Sequence, residues 1–322
     1  MLWFRTVDGL AAALGISVKK LKDVAGSTES YVKRKTIPGR RPGKRDREVI
    51  FVSGPLRRLQ YVLYTRVLRP RHKPTVHSHG GIKGRSIKTN AEPHLGSVFV
   101  FCADIANFYP SIHRKRVYDL YANVFGCAPD VARMLTKLCT FDHHLALGLI
   151  TSPILADCML RKVDRRIEGM CRKHNLVYTR FVDDLTISGA YDISSGATQK
   201  IVGEILECHG FSLKEAKSEL RRFSEEGVGM AGLRNKNGRL DVHKKYVEDL
   251  HDLLADCERL ARGEAPIGEY ATKDHISGKI GFVKWINRGH LAALLRRFRA
   301  VDWEAVERET ERLGFVLAPG KA

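Results

Sequence analysis

The segment YTRFVDDLTISG, from Tyr178 to Gly189, constrains the fold of this chain more than any other stretch. Two short apolar runs flank the adjacent carboxylates Asp183 and Asp184, which predicts a β-hairpin with the acids at its tip. Asp is a common turn residue that hydrogen-bonds its own backbone, so the pair has a purely local explanation. A tight two-residue hairpin favours Asn-Gly or Asp-Gly, however, and Asp-Asp fits it poorly. A divalent cation explains the pair better, because adjacent carboxylates supply the hard oxygen ligands that Mg²⁺ prefers.

A third carboxylate, Asp104, lies at the end of the apolar run SVFVFCADI. This run predicts a buried central strand. A buried carboxylate without a partner is costly, so Asp104 needs a counter-charge or a shifted pKa, unless it only caps a helix or lies at the surface. If the strand pairs with the hairpin, three carboxylates meet at one edge of the sheet. Such a cluster can hold two Mg²⁺ ions about 4 Å apart, which suits the transfer of nucleotidyl groups.

The charge balance favours a polyanionic partner. Lys and Arg number 55 against 36 Asp and Glu, for a formal net charge of +19 over 322 residues. Nucleic acid is the first candidate and an anionic membrane surface the second. No apolar run approaches the roughly 20 residues of a spanning helix, and Arg5 and Asp8 interrupt the first segment. We therefore expect neither a membrane span nor a signal peptide.

The seven cysteines are scattered and form no C-x-x-C pair. Most lie in apolar surroundings, which is typical of buried thiols and not of a disulfide framework or a zinc site. We therefore expect a cytoplasmic protein.

Hydrophobic periodicity predicts the order of the elements. Residues 7–25 favour two short helices around Gly15, either a plain helical hairpin or a helix-turn-helix that binds DNA. The cation-rich stretch from Lys33 to Arg47 contains Pro and Gly and precedes the β-prone EVIFV, which favours a flexible cationic hairpin over a solvated face. Further helices are expected at 56–68, after a cap at Ser111, from Pro153 onward and over ATQKIVGEILECHG.

The last eighty residues have a different pattern. HKKYVEDLHDLLADCERLARG and HLAALLRRFRAV are amphipathic and basic, which predicts a separate helical lobe. The strand, helix, hairpin and helix that precede them predict an α+β fold.

At these motifs the sequence resembles reverse transcriptases. FCADIANFYPSI is similar to their first acidic motif, and YTRFVDDLTISG to their paired-aspartate hairpin. Similar segments run in order from Tyr31 to Leu233, among them YVKRKTIPGRRPGKRDREVIFVSGPLRRLQ, GLITSPILADCML and HGFSLKEAKSEL. Within HGGIKGRSIKTNAEPH, the residues Asn90, Ala91 and His94 match the Asn-Ala-x-x-His signature of retron reverse transcriptases.

The resemblance implies a right-hand polymerase with fingers, an antiparallel-sheet palm and a helical thumb. The implied divisions are 1–95 for the N-terminal helices and fingers, 96–240 for the palm with part of the fingers, and 241–322 for the thumb.

The resemblance also assigns roles to residues. Asp104, Asp183 and Asp184 would be catalytic and would bind two Mg²⁺ ions together with the backbone carbonyl of Ile105. Tyr109 matches an aromatic gate that excludes a ribose 2′-OH, unless it is an ordinary core aromatic. The other implied contacts are Arg40, Arg47, Gly148 and Lys217 to the nucleotide, and Asn90, His94, Lys244, Lys245, Arg296, Arg297 and Arg299 to RNA. Lys217 has an alternative as a solvated lysine, and Asn90 and His94 as a pair that satisfies backbone groups.

Three motifs depart from the pattern of the family. Phe181 replaces the usual Tyr of the hairpin, and Ala146-Leu147-Gly148 stands where Pro-Gln-Gly is typical. Met230-Ala231-Gly232 replaces the retron Val-Thr-Gly. All three metal-binding carboxylates are kept, so we keep catalysis as the expectation.

The expected function is RNA-directed DNA synthesis of the retron type in antiviral defence. The implied partners are a structured non-coding RNA that is both template and primer, its DNA product and dNTPs, with an effector protein as a further candidate and no membrane. Synthesis would begin at an RNA 2′-OH and give branched RNA–DNA, called msDNA. One alternative is another bacterial reverse transcriptase, from a defence system or an intron-derived lineage. A non-catalytic RNA-binding protein on a palm scaffold is the other, and it predicts a lost metal carboxylate.

Overall fold

The computed structural model of the protein describes residues 4–38, 46–191, 193, 196–214, 219–222, 229–230, 233–236, 238–268 and 271–313. The predicted nucleotide contacts Arg40 and Lys217 lie outside the described residues, as do Ala231 and Gly232.

The elements follow one another along the chain as a mixture of helices and short strands. The α-helices are α1 (Val7–Leu14), α2 (Val18–Gly26), α3 (Gly54–Val62), α4 (Arg69–Arg71), α5 (Ile87–Ala91), α6 (Arg114–Asp119), α7 (Pro129–Cys139), α8 (Ser152–Lys173), α9 (Ala197–Glu207), α10 (Lys244–Ala261), α11 (Lys273–Ile286), α12 (Leu291–Ala300) and α13 (Trp303–Arg312). The strands are β1 (Val32–Ile37), β2 (Arg47–Val52), β3 (Phe99–Asp104), β4 (Val177–Phe181), β5 (Asp184–Gly189), β6 (Glu219–Arg222), β7 (Gly229–Met230), β8 (Leu233–Lys236) and β9 (Arg239–Val242). π-helical turns at Leu63–Leu68 and Leu120–Val124 continue α3 and α6.

The chain forms two compact units. The first comprises Met1–Ser86 and Phe99–Leu220, and the second Ile87–Val98 and Arg221–Ala322. The segment Ile87–Val98, which the resemblance implied to belong mostly with the fingers, therefore clusters with the C-terminal helices. The divisions at 95 and 240 stay predictions.

An antiparallel sheet is the centre of the first unit. Its strand order is β4-β5-β3-β6, with β3 antiparallel to β5 and β5 antiparallel to β4. Strand β3 buries Val100, Phe101 and Ala103, so it is a central strand, as its apolar run predicted. Helix α8 packs against β4 and starts with Pro153 in its first turn, as expected. The mixed helices and antiparallel sheets confirm the α+β class.

The N-terminal elements also match their sequence patterns. Helices α1 and α2 lie on either side of Gly15 and bury Leu10 and Leu21 in the core of the first unit. Strands β1 and β2 pair antiparallel over their whole length, from Val32 opposite Val52 to Ile37 opposite Arg47.

The predicted cap at Ser111 is wrong. Helix α6 begins at Arg114 with His113 as its N-cap, while the Ser111 hydroxyl donates to the Phe108 carbonyl at 2.7 Å. Residues 107–112 are taken up by a turn in which Asn107 has φ +44°, so the helix starts later than expected. Val124, at the end of the π-helical turn that continues α6, is 62% exposed.

The second unit combines the predicted helical lobe with a small sheet of order β7-β8-β9. Helices α10 and α12 confirm the two amphipathic patterns, whereas α11 and α13 were not predicted. Leu250, Leu254, Ile276 and Leu294 are buried in this unit. Asp256 accepts the backbone N–H groups of Ile267 and Gly268 at 2.8 and 2.9 Å, which fixes the connection after α10.

Two negative expectations concern membranes and disulfides. In the described part of the chain, every helix is too short or too polar to cross a bilayer. All seven cysteines are free thiols, and Cys127, Cys139, Cys171 and Cys257 are buried.

Gly148 gives a test of the packing around β2. It has φ +102°, and an added Cβ would overlap the Ile50 carbonyl oxygen. We expect Gly148→Ala to lower the free energy of unfolding by about 1–3 kcal/mol, because backbone strain adds to the overlap. The control is Gly169→Ala in α8, where the space is open and we expect a gain of about 0.5–1 kcal/mol. Equal denaturation midpoints for the two variants would contradict this packing.

Candidate active site

The three predicted carboxylates meet at one edge of the sheet. Asp104, the last residue of β3, lies directly opposite Asp184, the first residue of β5. Asp183 occupies the turn between β4 and β5, and its carbonyl accepts the Ile105 N–H at 3.2 Å. Asp104 is only 5% exposed. The register of β3 with β5 therefore gathers the carboxylates that the sequence separates.

Burial and the neighbouring negative charges both disfavour ionisation of Asp183. Burial, followed by the charges of Asp104 and Asp184, raises the pKa of Asp183 to about 6. Like charges directly opposite one another destabilise an antiparallel pair. A bound cation would remove this penalty.

The donor set fits Mg²⁺. In the described residues, no group of three or more His, Cys, Asp or Glu side chains is placed so that it could hold a metal ion. Mg²⁺ usually takes one or two carboxylates and fills its remaining positions with water and substrate phosphates. Carboxylate oxygens and a main-chain carbonyl from Ile105 are ligands of the required kind, so the cluster suits an ion that is shared with a nucleotide.

Two further side chains lie beside the carboxylates. Burial and then the charge of Asp183 raise the pKa of Tyr109 to about 12, which places this side chain within electrostatic range of the cluster. Lys214 was not predicted: its Nζ lies 3.9 Å from Asp104 Oδ2, and its N–H donates to the Asp104 carbonyl at 2.8 Å. The nearby Lys217, outside the described residues, was the lysine that the resemblance indicated.

The hairpin turn has an unusual backbone. Val182 has φ +61°, in the left-handed region that β-branched residues rarely occupy. A positive φ at the first of two turn residues is typical of a type II′ turn, where Gly is preferred. Such strain costs of order 1–3 kcal/mol and persists only where the surroundings enforce it.

Beneath the hairpin lies a buried ion-pair network that sequence reasoning missed. Arg180 is 1% exposed and binds Asp164 through two bonds of 2.8 Å and Asp157 through a third. Burial alone would raise the pKa of Asp157, but a hydrogen bond from His72 and the charge of Arg180 hold this pKa well below its usual range. The available signal was the spacing of Asp157 and Asp164, seven residues apart on the apolar face of α8.

The predicted nucleotide contacts Arg47 and Gly148 lie around β2. Arg47 is the exposed first residue of this strand, and no described contact joins it to the carboxylates. Gly148 lies against Ile50, and the Ile50 N–H donates to the Leu147 carbonyl at 2.8 Å. Gly148 therefore joins its loop to β2.

The second unit holds the residues predicted to bind RNA. Asn90 and His94 are fully buried in it, so any effect on RNA binding would act through the fold of this unit. Arg297 pairs with Glu258 at 2.9 Å, which engages its guanidinium within the unit. Lys244 makes an exposed pair with Glu248 at 3.4 Å. Lys245, Arg296 and Arg299 are exposed.

An aromatic row on α10 and α11 was not predicted. The ring centroids of Tyr246 and Phe282 are 5.3 Å apart, and those of Phe282 and Trp285 are 6.1 Å apart. Lys279 lies over the Tyr246 ring at 4.7 Å, and Trp285 is 46% exposed. The row presents an aromatic surface with a cation at one end.

Comparisons with known proteins give consistent matches, although no family model matches the chain. The retron Se72 reverse transcriptase of Salmonella heidelberg (strain 579083-10) is 27% identical over 296 residues, covering 90% of this chain and 77% of that protein. The retron Mx65 reverse transcriptase of Myxococcus xanthus is 29% identical over 315 residues, covering 91% and 71%. The retron Ec86 reverse transcriptase of Escherichia coli is 27% identical over 245 residues, covering 73% and 76%.

The α+β fold, the clustered carboxylates and these matches together define an RNA-directed DNA polymerase. All three of these relatives are retron enzymes, and the matches extend over most of the chain. These similarities support a bacterial reverse transcriptase of the retron type.

The raised pKa of Asp183 predicts a pH-dependent stability. Because this pKa is about 6 in the folded protein against an ordinary 3.8, the folded state binds the proton more tightly than the unfolded chain. The stabilisation by that proton is present at low pH and is lost as the pH rises through about 6. Without metal, the Tm of Asp183→Asn minus that of wild type should therefore be larger near about pH 7 than near about pH 4.5.

At neutral pH, Mg²⁺ should reduce the Tm difference between Asp183→Asn and wild type, because the ion offsets the repulsion among the carboxylates only in wild type. Asp249→Asn, at an exposed position of α10, is the control and should show little change with pH. A difference between Asp183→Asn and wild type that is the same at both pH values would contradict the clustering.

Proposed function

We propose that the chain copies a dedicated structured RNA into DNA with two Mg²⁺ ions and starts at a 2′-OH of that RNA, which yields a branched RNA–DNA product. The observation that carries the proposal is the placement of Asp104 opposite Asp184, with Asp183 beside them in the turn. Three anionic groups at a sheet edge suit two cations and a triphosphate better than any neutral ligand.

The reaction forms one bond and breaks one. An RNA 2′-oxygen at the start, and the DNA 3′-oxygen in later cycles, bonds to the α-phosphorus of a dNTP, while pyrophosphate leaves and the hydroxyl proton passes to solvent. Mg²⁺, when bound, lowers the pKa of that hydroxyl and neutralises charge on the phosphates. Asp104, Asp183, Asp184 and the Ile105 carbonyl hold the ions in this proposal. The Tyr109 ring excludes a 2′-OH from the incoming nucleotide.

Charge and aromatic surface support an RNA partner. The net charge of +19 gives strong but sequence-blind attraction to phosphates. Selective RNA recognition relies on shape and on unpaired bases that stack on aromatic rings. In the second unit, Tyr246, Phe282 and Trp285 offer rings on which bases can stack, and the exposed Lys245 offers a charge for phosphates. We assign choice of the RNA to this unit, and a separate effector protein is a further partner in the proposal.

Asp184→Asn tests catalysis, and the linkage in the wild-type product tests priming. We expect it to reduce DNA synthesis by more than about 10³-fold, because one metal charge is lost with little change in volume. RNA affinity should stay near that of wild type. RNA that copurifies with wild type would be sequenced and used as template-primer, and its product treated with an enzyme that cleaves 2′–5′ linkages.

The expected wild-type product is a DNA released from RNA by that treatment. A product without a 2′–5′ link would remove the branched-product proposal and leave the polymerase assignment intact. Synthesis by Asp184→Asn at the wild-type rate would remove the metal assignment itself.

Tyr109→Val tests the aromatic gate. Removing the ring should raise ribonucleotide over deoxynucleotide incorporation by at least about tenfold in kcat/KM, because space opens beside the 2′ position. Tyr118→Val, at a half-buried tyrosine of α6, is the matched control for loss of a ring. If Tyr109→Val and the control keep the wild-type ratio, Tyr109 is only a packing residue.

A further inference from the structure

The turn that carries Asp183 is held from one side by Arg180. Besides its bonds to Asp157 and Asp164, the Arg180 guanidinium donates through Nη1 to the Val182 carbonyl at 2.8 Å. One planar group therefore bonds both to helix α8 and to the left-handed residue of the turn. Arg presents such a fork rigidly, whereas Lys cannot.

The loop Ser78–Gly80 holds the same hairpin from a second direction. Two backbone hydrogen bonds join this segment to strand β4. The Arg180 N–H donates to the His77 carbonyl at 2.7 Å, and the His79 N–H donates to the Arg180 carbonyl at 2.8 Å. The Ser78 hydroxyl donates to Asp157 at 2.5 Å, so the loop is tied to the ion-pair network.

Gly80 closes the contact at the turn itself. A Cβ at this position would overlap both Cγ2 and the backbone nitrogen of Val182. The loop thus touches Val182, a β-branched residue held at φ +61°. Contacts on two sides enforce a turn that its own sequence does not favour, which is the condition under which strain persists.

We propose that Arg180 and the loop Ser78–Gly80 are positioning residues, which hold the Val182–Asp183 turn so that Asp183 faces Asp104 in the geometry needed for metal binding. None of them touches substrate in this proposal, and all act through the hairpin. The inference rests on the proposed function, because it concerns the metal-binding role of Asp183. Well-placed supporting groups commonly change metal affinity by about 10- to 100-fold.

Two variants with matched controls test the proposal. Gly80→Ala pushes on Val182, whereas Gly84→Ala, with φ +79° and open space, strains its own backbone without reaching the hairpin. Arg180→Lys keeps the charge but loses the fork, whereas Thr75→Val removes a hydroxyl that donates to Asp164 at 2.6 Å, away from the turn. The controls therefore cost stability without moving Asp183.

The decisive measurement is Mn²⁺ affinity, by electron paramagnetic resonance, of the protein without RNA or nucleotide. We expect Gly80→Ala and Arg180→Lys to raise the Mn²⁺ Kd by about tenfold or more and to lower kcat by roughly 10²-fold. KM for dNTP and RNA affinity should change little. Both controls should keep wild-type Mn²⁺ affinity and kcat, whatever their melting temperatures.

The outcomes separate the two levels of the proposal. If wild type synthesises DNA but Gly80→Ala and Arg180→Lys bind Mn²⁺ as their controls do, the positioning role is overturned and the proposed function stands. Failure of both variants to fold while their controls fold would assign the network to stability alone and also overturn it. If wild type itself shows no metal-dependent synthesis, the proposed function fails first.

Discussion

Mutual repulsion among three carboxylates is the constraint on which the first unit depends. Asp104 and Asp184 lie opposite each other across β3 and β5, and burial, followed by the charges of these two acids, raises the pKa of Asp183 beside them. Without the rest of the unit, repulsion would favour separation of β3 from the β4–β5 hairpin. Here the central position of β3, the Ile105 and Lys214 backbone bonds and the covering helices fix the edge of the sheet. The fold thus holds three acidic side chains together at one edge of the sheet.

Two acidic clusters lie near the hairpin, one on helix α8 and one at the edge of the sheet, and their surroundings differ. On α8, Asp157 and Asp164 are matched inside the protein by Arg180, with Ser78 and Tyr178 donating further hydrogen bonds. At the sheet edge, Asp104 is approached by the half-exposed Lys214, whose Nζ lies 3.9 Å from Asp104 Oδ2. Breaking a buried pair leaves an uncompensated charge, so the first cluster is suited to rigidity. The second is suited to exchange of ions and phosphates with solvent.

The sequence predicted those parts that are decided locally or by strong patterns. The apolar run of β3, the hairpin of β4 and β5 and the amphipathic α10 and α12 were all predictable, and so was the meeting of the three acids. Helix α11 was missed because Gly278 and Gly281 weaken its helical signal, and Arg180 was missed because its partners are distant in sequence. Burial of Asn90 and His94 depends on packing with residues beyond 220, which no local pattern contains. All the nucleotide contacts stay predictions, and Arg40 and Lys217 also lie outside the described residues.

The second unit is assembled from two pieces of chain, Ile87–Val98 and Arg221–Ala322, with residues 99–220 between them. During synthesis on the ribosome, the first piece emerges long before the second. At about 5–20 residues per second, that interval is on the order of ten seconds. Throughout it, helix α5, which carries Asn90 and Ala91, is without strand β8, against which it packs in the folded protein. The signature segment therefore acquires its native surroundings only when the C-terminal helices have left the ribosome, and a nascent chain has a catalytic sheet before it has a finished second unit.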